Sequence, residues 1–184
     1  GYHVGVPIQD VDYINLAGSE KLSEAVGGVD VVVARAIDDA NYEFNNGQRG
    51  FHLTAGPHHL DGRTAMAYVR SRYGPGDNDF TRARRQQELL LDLKDKLLSP
   101  AVLPRIPTIL DAMSRLVTTN YPAENISRLI DLSHQIKPGA IQRTVLGPPY
   151  AISPPSSAEY VLVPDMARYA KWSIKAFGSA SRYA

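Results

Sequence analysis

Apolar residues recur along this chain in two rhythms, one of period two and one near 3.6. Asp12-Tyr13-Ile14-Asn15-Leu16 alternates and predicts a strand. Leu22, Ala25 and Val26 form the buried stripe of a short helix with Ser19 as its N-cap. Gly27-Gly28 ends that helix, as glycine does just past a helix C-terminus. Val29-Asp30-Val31-Val32-Val33 follows at once and is β-branched enough to be a strand. Residues 38–50 read as a polar loop, and Phe51-His52-Leu53 as a short strand or turn. A helix starting at Asp61 carries Met66, Tyr68 and Val69 toward Arg70. After the turn Gly74-Pro75-Gly76, a second helix takes Asp79 as its N-cap. Arg82, Arg85, Gln86, Leu89, Leu90, Leu93 and Leu97 share one face of it at i, i+3, i+4 spacing. Pro100 and Pro104 break the chain, and Ile106, Ile109, Leu110, Met113, Leu116 and Val117 then line one face of a further helix. Another runs from about Glu124 to Gln135. Ile141–Leu146 and Tyr160–Val163 read as strands around a loop at 147–157 that holds four prolines and three serines. A last helix carries Met166, Tyr169, Ala170, Ile174 and Phe177. There is no internal repeat and no domain boundary, so residues 1–184 read as one domain. The β-α-β order near the start predicts an α/β fold, a sheet covered by helices.

The leucine end of the helix after Asp79 must be buried, so the arginine end points toward the interior or a cleft. An unpaired guanidinium there is costly. Between residues 70 and 85 the chain holds five arginines (Arg70, Arg72, Arg82, Arg84, Arg85) against two aspartates (Asp77, Asp79). A solvated ion-pair face would need more carboxylates, so the surplus calls for an external anion, and phosphate is the common one. Arg84 lies off the stripe and reads as solvated, whereas Gln86 reads as a donor to a phosphate oxygen. Asp79 combines the capping role with a second possibility, orienting an arginine or assisting an acceptor hydroxyl.

Composition narrows the partners. Of 184 residues, 43% are hydrophobic and 21% charged, ordinary for a globular protein, and formal net charge is only +1. A nucleic-acid binder usually shows a broad basic excess; here the excess is confined to residues 63–85, which suits a small concentrated anion. The chain has no cysteine, which excludes a disulfide scaffold or thiolate metal site. No run approaches the roughly 20 apolar residues that span a bilayer. His58-His59 is a poor metal candidate because adjacent side chains point apart on regular elements. Asp38-Asp39 reads as a solvated turn. The start at Gly1 without Met reads as a fragment of a longer protein.

Several segments together resemble the LytR-CpsA-Psr family of cell-envelope proteins. They are Val11-Asp12-Tyr13, the run from Leu22 through Gly27-Gly28-Val29-Asp30-Val31, Phe51-His52-Leu53, and Leu60-Asp61-Gly62 leading to Tyr68-Val69-Arg70-Ser71-Arg72. Asp79-Phe80-Thr81-Arg82-Ala83-Arg84-Arg85-Gln86-Gln87 is the most specific, and Tyr160-Val161-Leu162-Val163-Pro164-Asp165 is similar to the family's closing strand. The resemblance implies an α/β/α sandwich around a mixed sheet with a hydrophobic lipid pocket. It implies an extracytoplasmic, membrane-anchored phosphotransferase that moves a glycopolymer from a polyprenyl pyrophosphate lipid to peptidoglycan. Pyrophosphate binding then falls to Arg70, Arg72, Arg82, Arg85 and Gln86, and catalysis to Asp79 and Arg82. Mg2+ is the implied cofactor. The family's Ser-Asp-Thr strand and Arg-Asp pair, which supply metal ligands, are not found in the sequence, so the chain matches the C-terminal two-thirds of the domain and its Mg2+ ligands are expected upstream of Gly1. A non-catalytic polyprenyl-phosphate-binding module and a transcription regulator are the alternative readings. The regulator has no helix-turn-helix signal behind it, and no nucleic-acid partner is expected.

Overall fold

The computed structural model describes residues 4–9, 12–114, 116–137, 139–153 and 161–184. It divides into two compact units, residues 12–143 and residues 144–184 with the N-terminal segment.

In the first unit, β1 (Asp12–Ile14) leads into α1 (Leu16–Ala25). The helix begins earlier than expected because Asn15, not Ser19, is the cap: its Oδ1 accepts the Ala17 amide at 2.9 Å. Gly28, at φ +86°, then swings the chain into β2 (Val29–Val33). A Cβ at Gly28 would sit 2.7 Å from the Leu60 carbonyl oxygen, so only glycine fits this turn. Val29, Val31 and Val33 are buried while Asp30 and Val32 face out.

The expected loop at 38–50 is instead a hairpin, β3 (Ile37–Glu43) with β4 (Arg49–Leu53). Ile37, Tyr42 and Phe51 point inward, and so does Asp39. A polar sequence makes a strand here because the inward carboxylate finds donors far along the chain. β5 (Gly56–Leu60) pairs antiparallel with β2, from Val29 opposite Leu60 to Val33 opposite Gly56. Asp61 caps α2 (Gly62–Arg70) by accepting the Thr64 amide at 2.7 Å. α3 (Asp79–Leu97) follows, and then α4 (Ile106–Ser114). Leu116 and Val117 leave the helix expected to hold them. Val117 opens β6 (Val117–Thr119), which pairs with β1, and the Leu116 carbonyl accepts the Asn15 amide at 2.8 Å. α5 (Ile126–Gln135) buries no side chain.

The core joins Val29, Val31 and Leu60 of the β2–β5 ladder to Ala65, Met66, Tyr68 and Val69 of α2, Leu22 of α1, and Leu89 and Leu93 of α3. Each such leucine or valine contributes roughly 1.5–3 kcal/mol on full burial. Leu90, assigned to the same stripe by its spacing, is 53% exposed. The α/β class holds. Among the described residues the sheet consists of antiparallel pairs, β1–β6, β2–β5 and β3–β4 in this unit.

Ile141–Leu146, which runs from the end of the first unit into the second, is not a strand: no strand among the described residues pairs with it, and isolated β-prone segments are unstable. β7 (Ala151–Ile152) pairs with β8 (Val163–Pro164). Tyr160, the expected start of that closing strand, lies outside the described residues, and Val161-Leu162 precedes the ladder. Asp165 caps α6 (Met166–Phe177) through the Arg168 amide at 3.1 Å. Buried Ser173 of α6 donates to the Val4 carbonyl at 2.6 Å, which ties the N-terminal segment to this helix.

Candidate functional site

α2 stops at Arg70 because the backbone turns extended at Ser71, with φ −52° and ψ 138°. The chain beyond it is gripped from β3. Asp39 Oδ2 accepts Ser71 Oγ at 2.8 Å, Arg72 N at 3.1 Å and Tyr73 N at 3.2 Å, and Oδ1 accepts Asn41 N at 3.2 Å. Asp39 is 1% exposed. Burial by itself pushes its carboxyl up, but the hydrogen bonds from Ser71, Tyr73, Arg72 and Asn41 outweigh burial and hold it below the usual carboxylate range. The carbonyls at this helix end are also satisfied. Arg85 Nη2 donates to Ser71 O, and Gln86 Nε2 donates to Val69 O at 3.3 Å.

Asn78, rather than Asp79, caps α3. Its Oδ1 accepts the amides of Phe80 and Thr81, each at 2.9 Å, while Thr81 Oγ1 accepts the Asn78 amide at 2.9 Å. Asp79 becomes the first helical residue, where a carboxylate complements the helix dipole, and it pairs with Arg82 at 3.0 Å.

One helical turn separates the roles of the α3 side chains. Arg82 and Gln86, at i and i+4, face β3. Arg85 turns into the core with Leu89, is 7% exposed, and pairs with Asp77 at 2.8 Å. Its guanidinium lies 5.7 Å from the Tyr68 ring centroid.

A cleft of about 460 Å3 opens between the end of β3, the 70–73 segment and the start of α3. Arg70, Arg72, Arg82 and Gln86 line it, with Asp39, Tyr42 and Tyr73. Arg70 lies 5.8 Å from the Tyr42 ring centroid, and Arg72 donates to the Tyr73 hydroxyl at 2.8 Å. Burial pushes the Tyr42 phenol up, against the pull of Arg70, so it stays neutral beside the arginines. Glu43 of this wall is taken by Arg49 at 3.2 Å, and neither Arg70 nor Arg72 has a carboxylate partner among the described residues. The structure thus brings together four of the five residues expected to hold an anion. Arg85 is the one it sets apart: it lines a different cavity, of about 380 Å3, with Arg35, Asp77 and the exposed Arg84.

Asp39, Tyr42 and Tyr73 carry no obvious signal in the sequence. Asp39 alternates with Ile37 in a strand rhythm that the neighbouring polar residues conceal. His58 and His59 do point apart: His58 Nε2 bonds Thr54 O at 2.8 Å and His59 Nδ1 bonds Asp30 at 2.7 Å. Among the described residues no cluster of three histidine, aspartate or glutamate side chains could hold a metal ion.

An α/β framework that gathers three guanidiniums and an amide at the α2–α3 junction defines a domain with an arginine-lined cleft. The chain belongs to the LytR_cpsA_psr family, whose sequence profile matches residues 2–165. It is 29% identical over 127 residues to the polyisoprenyl-teichoic acid–peptidoglycan teichoic acid transferase TagU of Enterococcus faecalis, covering 69% of this chain and 39% of that protein. It is 30% identical over 115 residues to the Bacillus subtilis transferase TagV of the same description, covering 62% and 29%. The crystal structure of B. subtilis TagV superposes with a TM-score of 0.66 at 22% identity, over 95% of this chain and 66% of that one. The chain therefore spans less than half the length of the curated relatives it matches.

Proposed function

We propose that this chain carries the diphosphate-binding portion of a phosphotransferase that moves a glycopolymer from a polyprenyl pyrophosphate lipid to peptidoglycan. The convergence of Arg70, Arg72 and Arg82 with Gln86 on one cleft is the observation that carries this reading. The relatives described as teichoic acid transferases supply the substrate class. In this reading the acceptor hydroxyl oxygen bonds to the sugar-bearing phosphorus, and the bond from that phosphorus to the oxygen bridging to the prenyl phosphate breaks. Prenyl phosphate leaves with the electron pair. Arg70 and Arg72 neutralise the charge that grows on the leaving phosphate, and Arg82 polarises the phosphorus under attack. Asp79, ion-paired to Arg82, orients that guanidinium and takes the hydroxyl proton.

Among the described residues no group of three or more histidine, aspartate or glutamate side chains could hold a metal ion, and the roles assigned to this chain's side chains are binding, orientation and charge. We further assign residues 1–184 to a single domain, because the family match runs from residue 2 to 165 and so through both compact units. An extracytoplasmic, membrane-anchored location follows from the lipid donor. No helix among the described residues is long and apolar enough to cross a membrane.

Calorimetric titration with farnesyl diphosphate tests the reading. Wild type should bind, and an Arg72→Ala/Arg82→Ala double variant should lose roughly 1.5–3 kcal/mol for each charged hydrogen bond removed. Equal affinities for the two proteins would overturn it.

A further inference from the structure

From the clamp around Ser71 we infer that Asp39 is a positioning residue, one that fixes the guanidinium of Arg72 in the cleft without touching the ligand itself. The inference rests on the diphosphate reading of that cleft. In a continuing helix the amides of Arg72 and Tyr73 would donate to the carbonyls of Tyr68 and Val69. Here both amides are diverted to one oxygen of Asp39, at 3.1 and 3.2 Å, and the Ser71 hydroxyl joins them at 2.8 Å. The freed Val69 carbonyl is taken by Gln86. Asp39 therefore trades helical hydrogen bonds for a local set that holds residues 71–73 extended. Extension is what brings the two arginines to one cleft. Two residues apart on a helix, Arg70 and Arg72 would lie about 200° around the axis and face opposite ways; with residues 71–73 extended, Arg70 at the end of α2 and Arg72 just beyond it both line one cleft.

Asp39 is suited to the task and unsuited to proton transfer. Its carboxylate already accepts four hydrogen bonds and is 1% exposed. Oriented backbone amides compensate its charge, so it can sit in the wall of an anion site without discharging the arginines. It also ties together two stretches of the chain, its own strand through Asn41 and the consecutive residues Ser71, Arg72 and Tyr73 more than thirty residues on. This is the arrangement expected of a group that sets geometry for others.

The test is a double-mutant cycle on farnesyl diphosphate affinity, measured on the full chain with circular dichroism recorded for each variant. Asp39→Ala should weaken binding about tenfold and Arg72→Ala by at least as much, while the Asp39→Ala/Arg72→Ala protein should be little worse than Arg72→Ala alone. Ser71→Ala removes one bond from the same carboxylate at small structural cost. It should show a smaller loss that also vanishes in the Arg72→Ala background, and it keeps the test open if Asp39→Ala does not fold. Asp39→Asn, whose single carbonyl oxygen can still accept the two amides, should recover part of the affinity. Additive losses from position 39 or 71 and position 72, or wild-type affinity in both Asp39→Ala and Ser71→Ala, would overturn the inference while leaving the cleft reading intact. Failure of wild type to bind would overturn both.

Discussion

Asp39 and Arg85 both hold Ser71, one through its hydroxyl and the other through its carbonyl, and each carries a charge almost fully withdrawn from water. Their contributions should be visible as stability. For Asp39 the sign follows from its lowered pKa: ionised in the fold more readily than in the unfolded chain, it stabilises fully above the ordinary carboxyl value of about 4. That stabilisation is lost as pH falls through the lower folded value. Urea denaturation from pH 6 down to pH 2 should therefore show a steeper acid decline in wild type than in Asp39→Ala. Parallel acid limbs would contradict this. Arg85 is a sharper case. Arg85→Ala leaves Asp77 buried without its cation, and Asp77 Oδ2 already has no hydrogen-bond partner among the described residues. Breaking such a pair costs roughly 3–5 kcal/mol, whereas Arg82→Ala, at a half-exposed pair, should cost about 0–1 kcal/mol. Denaturation midpoints that rank the other way would mean that Arg85 is not the structural arginine described above.

At the level of elements, α3 shows what the sequence could and could not disclose. Its length, its leucines and the arginine-rich start are all readable from spacing. The cap is not, because Asn78 and Asp79 are both good capping residues and only the extended backbone of Asn78, at φ −160° and ψ 178°, decides between them. Asn78→Ala should cost about 0.5–2 kcal/mol of stability, and Asp79→Ala less, since a first-turn carboxylate contributes about 0.3–1 kcal/mol. Thermal melts of the two variants decide it, and a larger loss from Asp79→Ala would return the cap to Asp79. The distinction between Arg82 and Arg85 was hidden for a related reason. Residues three and four apart both count as one helical face, yet Arg85 stands about 60° around the axis from Arg82 and about 100° from Gln86, enough to send one guanidinium to the cleft and the other to the core. β3 is hidden in the sequence because Asp38, Asp39, Asn41 and Glu43 are poor strand formers, and the donors that make Asp39 acceptable inside arrive from residues 71–73. Local propensity does not register a partner more than thirty residues away.

For the molecule as a whole, the cleft and the fold share one free energy. Farnesyl diphosphate at about one hundred times its dissociation constant should stabilise the folded chain by roughly 2.7 kcal/mol. The unit formed by residues 12–143 contains every residue of the cleft, so the gain should appear in its unfolding and be absent from the Arg72→Ala/Arg82→Ala protein. Ligand protection that survives in the double variant would place the diphosphate elsewhere on the chain.

α5 leads to a different kind of expectation. It has ten residues, no side-chain bond at its N-cap and no buried side chain. Helices shorter than about 12–15 residues are marginal in water unless packing supports them. Its backbone hydrogens should therefore trade for deuterium almost as fast as those of an unstructured peptide. The amides of α3 around Leu89 and Leu93 should wait for the opening of the core. In a deuterium-labelling time course the 126–135 peptide would be heavy within the first time points, and the isotope clock would read one helix as nearly free chain and the other as the slowest part of its unit.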